Sequence, residues 1–67
     1  MMKVGDLVRM AIPGDRFHGA KGIILRRVIS KMYSEGHHYE VQTFDGHILV
    51  ALEFELELVE NDTQIPD

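Results

Sequence analysis

The side chains of this 67-residue chain best suited to chemistry are its cations. Arg16, Lys21, Arg26, Arg27 and Lys31 lie close together in sequence, with His18 among them and the aromatic Phe17 and Tyr33 alongside. Clustered lysines and arginines displace counterions from a phosphate backbone, and aromatic rings stack on bases, so this set outlines a nucleic-acid contact. The same residues read equally as solvated charges or as cross-strand partners of carboxylates. An isoelectric point near 5.4 is the opposite of the basic balance usual in RNA-binding domains and favours the second reading.

Other chemistry is poorly supplied. His37 and His38 are adjacent and point to opposite faces of an extended chain. His47 could approach His38 across a hairpin, which leaves fewer ligands than a structural zinc site needs. Ser30 and Ser34 have no evident base and orienting acid beside them. Glu53, Glu55 and Glu57 alternate along what reads as an exposed surface, not a cleft. A β-domain this short fills its interior with its own side chains. The expectation is therefore no enzymatic activity, no metal, no cofactor and no small-molecule substrate.

Composition sets the frame. The length fits one domain near the lower limit for a self-supporting core. There is no cysteine, hence no disulfide and no thiolate, which suits a reducing, cytoplasmic setting. Asp6, Arg9 and Asp15 interrupt the first twenty residues, so no signal peptide is expected, and no apolar run is long enough for a membrane helix. The net charge of −4 hides a division. All seven basic residues lie in the first 31 positions beside two acids, while the remaining 36 residues carry nine acids and neither Lys nor Arg. Such asymmetry marks either a nucleic-acid-binding half or strands that pair with opposite charges facing.

The elements that position these residues read as β-strands. Val4 to Met10 alternates from Asp6 onward, and Pro13-Gly14-Asp15 breaks it within a surface loop from Ala11 to Gly19. Lys21–Val28, rich in β-branched side chains, is the second strand. Residues 29–36 read as a hairpin loop ending at Gly36, although a strand extension or a helical turn also fits. Tyr39–Thr43 is the third strand, Phe44-Asp45-Gly46 the turn and His47–Val50 the fourth strand. Ala51–Glu55 reads as a single 3₁₀ turn and Leu56–Glu60 as the fifth strand. The expected core is Val4, Val8, Met10, Ile24, Val28, Tyr39, Val41, Ile48, Val50, Leu56 and Leu58, with Leu52 or Phe54 plugging one end. Five short strands with one turn before the last predict a closed all-β barrel over residues 1–60, followed by a flexible acidic tail at 61–67.

The pattern Gly5-Asp6-x-Val8-x-Met10, then Gly19-x-x-Gly22-x-Ile24, then Leu56-Glu57-Leu58-Val59 resembles the KOW type of SH3-like barrel. That resemblance covers nearly the whole chain. It implies a small five-stranded SH3-like barrel in which Gly22 bends the second strand where the barrel closes. Barrels of this kind contact RNA or protein in ribosomal proteins and elongation factors, and protein in accessory subunits of redox complexes. Short chains opening Met-Lys-Val-Gly-Asp-Leu-Val also look similar to uncharacterised bacteriophage proteins, which would work in a host cytoplasm.

In this topology the first strand pairs with both the second and the fifth, so Arg9 and Arg27 should face Glu57 or Glu60. Leu7, Ile23, Leu25, Leu49 and Val59 fall on the outward face of the expected register, and Leu7, Ile23 and Leu25 lie on neighbouring strands. Adjoining exposed apolar residues mark protein interfaces. The leading expectation is thus a non-catalytic protein-interaction or assembly module. Its contacts would be Leu7, Ile23 and Leu25 with Phe17, Met32 and Tyr33 from the loops, and its partner another protein or a second copy. The alternative is a KOW-type RNA- or DNA-binding module using Arg16, Lys21, Arg26, Arg27 and Lys31.

Overall fold

In a computed structural model, residues 2–29 and 36–59 are described. Met32, Tyr33, Lys31, Ser30, Ser34, Glu60 and the segment 61–67 lie outside them. The elements are β1 (Leu7–Met10), β2 (Lys21–Val28), β3 (His38–Thr43), β4 (Ile48–Leu52), a 3₁₀ turn (Glu53–Glu55) and β5 (Leu56–Leu58). They form one antiparallel sheet in the order β4-β3-β2-β1-β5. Among the described residues the sheet is not closed, since no ladder joins β4 to β5. Nor is any helix among them long and apolar enough to cross a membrane.

Alternation explains the core. Val8 and Met10 of β1, Ile24 of β2, Tyr39 and Val41 of β3, Ala51 of β4 and Leu56 of β5 are buried on one face. Met2, Ile12, Phe17, Ala20 and Leu49 pack against them. Gly22 lies between Val8 and Thr43 in register. A Cβ there would run into the Gln42 carbonyl and come within 2.9 Å of Thr43 Cα. The missing side chain is what lets β2 and β3 approach.

Several core assignments are overturned. Ile48 and Val50 are 58% and 42% exposed, and their neighbours Leu49 and Ala51 face inward instead. The cause is the register set at the turn. Thr43 N–H donates to His47 C=O at 2.8 Å and Glu53 N–H to His37 C=O at 2.9 Å. Between these two bonds Val41 is level with Leu49 and Tyr39 with Ala51, so the inward residues of β3 draw inward the odd-numbered residues of β4. Small Ala51 stands opposite bulky Tyr39.

Val28 is only half-buried because β2 carries a bulge. Ile24 pairs with Val41 but Arg26 with Glu40, so Leu25 is an extra residue and the faces of β2 exchange beyond it. Val4 is exposed because Lys3 to Gly5 is a turn before the strand, closed by Asp6 N–H on Lys3 C=O at 3.0 Å. Leu58 and Phe54 are also exposed, so Phe54 plugs nothing, and Leu52 is half-buried. Strand β4 runs on through Ala51 and Leu52, which shortens the 3₁₀ turn to Glu53–Glu55.

Candidate interaction surface

The face of the sheet away from the core carries a row of aliphatic side chains. Leu7 pairs with Ile23, Ile23 with Gln42 and Gln42 with Ile48. Leu7 and Ile23 are half-buried while Leu25 and Ile48 are exposed. Paired residues of antiparallel strands share a face, so Leu7, Ile23 and Ile48 form one band broken only by Gln42. Val50 follows on β4, level with Glu40 and Arg26. Ile48 and Val50 belong to this surface although their parity in the sequence suggests core. Leu49 and Val59, expected outward, are respectively packed on the core and half-buried.

The loop between β1 and β2 is bonded to itself. Met10 N–H donates to Ala20 C=O and Gly19 N–H to Met10 C=O, both at 2.8 Å. Phe17 N–H donates to Asp15 Oδ2 at 2.8 Å and Ile12 N–H to His18 Nδ1 at 3.1 Å. These bonds seat Phe17 against the core, edge-on to His47 with ring centroids 5.1 Å apart. The Arg16 guanidinium lies 4.8 Å from the Phe17 ring centroid. Phe17 thus braces the loop, and one side of its ring is occupied by Arg16.

Among the described residues two of the arginines are paired with carboxylates. Arg26 Nε meets Glu40 Oε1 at 3.1 Å, and Arg9 Nη1 meets Glu57 Oε1 at 3.2 Å. The second pair joins the basic first strand to the acidic last one, as the charge asymmetry suggests. Arg27 does not share it, because β2 is separated from β5 by β1 and Arg27 is level with Tyr39. Lys21, Arg26 and Arg27 are exposed. His38 is level with Leu52, at the end of the hairpin opposite His47, so the two histidines do not meet. Among the described residues no three or more His, Cys, Asp or Glu side chains converge as metal ligands.

Polar chemistry concentrates at the β3–β4 turn. Thr43 Oγ1 donates to Asp45 Oδ1 at 2.5 Å and accepts His47 N–H at 3.0 Å, while His47 Nδ1 lies 3.1 Å from the same Asp45 oxygen. The Thr43 hydroxyl, and after it His47, hold the Asp45 carboxyl below its ordinary range. Gly46 turns the chain with φ of 98°. These bonds lock the turn.

The two margins of the sheet differ. Because Thr43/His47 and His37/Glu53 are hydrogen-bonded positions, alternation directs the N–H and C=O of Ile48, Val50 and Leu52 away from β3. Glu55 Oε1 accepts the Leu52 N–H at 2.9 Å. The backbone groups of Ile48 and Val50 remain along an edge with no charged side chain of its own. Comparison with known proteins found no matching family model, no matching curated protein and no matching solved structure.

Proposed function

We propose that this protein is a non-catalytic SH3-like barrel of the KOW type that serves as a protein-interaction or assembly module. The strand order β4-β3-β2-β1-β5, the close approach at Gly22 and the 3₁₀ turn before the last strand support that barrel assignment. The observation that carries the function is the outward aliphatic band of Leu7, Ile23, Leu25, Ile48 and Val50. An outward apolar band on a small β-domain, even one interrupted by Gln42, is best used by covering it with another protein. With the resemblance in its pattern, it reads as an accessory or phage-type assembly protein working in the cytoplasm.

The test is capture from native lysate by the wild-type chain and by the Ile23→Lys variant, quantified by mass spectrometry, with circular dichroism confirming that both fold. Selective loss of a captured protein by the variant is the expected result. A wild-type chain that is strictly monomeric and captures nothing defeats the proposal. The nucleic-acid alternative is tested in parallel by retention of mixed RNA and DNA at low and moderate salt, where affinity falling steeply with salt would install it instead.

A further inference from the structure

We propose that the free edge of β4 is a self-pairing site, where a second copy of the chain adds its own β4 antiparallel across a two-fold axis. The inference rests on reading the protein as an interaction module and names one partner for it. Unpaired edge strands are templates for strand addition, and small β-proteins blunt them with lysine, proline, bulges or short length. Strand β4 has none of these devices over Ile48-Leu49-Val50-Ala51-Leu52. Its side chains are apolar from end to end.

The register follows from what is already occupied. Glu55 holds the Leu52 N–H, so the edge is open at Ile48 and Val50. A two-fold centred on Leu49 sets Ile48 opposite Val50 of the second copy and Leu49 opposite Leu49. Ile48 N–H then donates to Val50 C=O and Val50 N–H to Ile48 C=O, in both directions. The outward band of each copy runs into that of the other through Ile48 and Val50. The pairing ends short of Gly46 and Leu52, where Glu55 already holds the Leu52 N–H.

The apolar run Ile48-Leu49-Val50-Ala51-Leu52, which matches itself in this register, supports a second copy as the occupant. His47 lies opposite Ala51 and diagonal to Glu53 of the second copy, on the same face of the joined sheet. Asp45, level with that Glu53, is bonded to its own His47, and the like charges stand only at the two ends of the joined strands. The arrangement is its own complement. Isologous pairing also closes, consuming both free edges without leading to a fibre.

Sedimentation of the full-length chain from about 10 μM to about 1 mM should show a monomer–dimer equilibrium. Val50→Lys should weaken dimerisation at least about tenfold, while Leu25→Lys, on the same face but on β2, should leave it unchanged. Amide exchange on the wild-type protein is an independent readout, because the Ile48 and Val50 N–H groups should gain protection with rising concentration and those of Leu56 and Leu58 should not. A monomer throughout, a dimer indifferent to Val50→Lys, growth beyond a dimer, or unprotected Ile48 and Val50 amides in the dimer would each overturn the proposal. Capture of a foreign protein by a strictly monomeric chain would preserve the interaction-module reading while ending this inference. A dimer that captures nothing would keep both, with the second copy as the module's partner.

Discussion

The sheet ends in two strands that meet solvent in opposite ways. At one margin β5 offers three residues, its middle position is Glu57, and that carboxylate is tied to Arg9 on the neighbouring strand. At the other margin β4 offers five residues with no charge among them, and outward Ile48 and Val50 flank the backbone groups that face away from β3. Among the described residues edge protection covers the first margin, whereas on the second it is confined to the Glu55 cap at Leu52. In a domain this small an unprotected edge is a template for strand addition unless something covers it, and the pairing proposed through β4 rests on that contrast.

Proline scanning of β4 breaks the contrast most severely. Ala51→Pro removes an N–H directed at β3 and should destabilise the fold by about 3 kcal/mol. Val50→Pro removes one directed at solvent and should leave stability within about 1 kcal/mol of wild type in urea denaturation. Equal losses at the two positions would contradict the assigned hydrogen-bond alternation. Gly22→Ala tests the centre from which both margins extend. Its Cβ meets backbone at Gln42 and Thr43, so a loss of about 1–3 kcal/mol is expected from the same denaturation curves.

Smaller effects separate the margins further. Arg9→Ala should cost only about 0.2–1 kcal/mol, because the Arg9–Glu57 pair is exposed. The hydrogen exchange of β5 should rise while that of β4 stays put. The smallest change is the contribution of Asp45 to the β3–β4 turn. Its carboxyl titrates below the ordinary 3.8 when folded, through the Thr43 hydroxyl first and His47 second. A lowered folded value means that the stabilisation is fully present above pH 3.8 and is lost as pH falls through the folded value. Thermal melts of wild type and Asp45→Asn should therefore differ at neutral pH and converge in acid. A constant difference down to the most acidic point would exclude this role.

Much of the sheet is legible in the residues. Lys21–Val28 is bounded by turn signals and rich in β-branched side chains, and it is a strand over those same residues. Asp45-Gly46 marks the hairpin, and the separation of charges along the chain foretells the Arg9–Glu57 pair. What escapes is parity. Ile48 to Leu52 is apolar at every position, so composition alone cannot say which side chains face inward. The turn decides it, through the bonds of Thr43 and His47. The bulge at Leu25 is equally silent, because Ile23-Ile24-Leu25 offers no polar marker of the face, and it moves Val28 off the core side. The outward pairing of Leu7 with Ile23 is readable from the strand order, whereas Ile48 and Val50 require the register. A small residue opposite a large one, Ala51 against Tyr39, is the available signal that odd positions of β4 face inward.

The partnership of β1 with β5 sets an order of assembly. Arg9 and Glu57 are 48 positions apart, whereas β2, β3 and β4 meet their neighbours through hairpins between consecutive strands. Contacts between near neighbours form with less loss of chain entropy than those that close a long loop. The four-stranded meander β1-β2-β3-β4 can therefore form first, and β5 is also the last of the five strands to leave the ribosome. Until it arrives, Leu7–Met10 is itself the margin on that side, without the Arg9–Glu57 pair that guards it once β5 is in place.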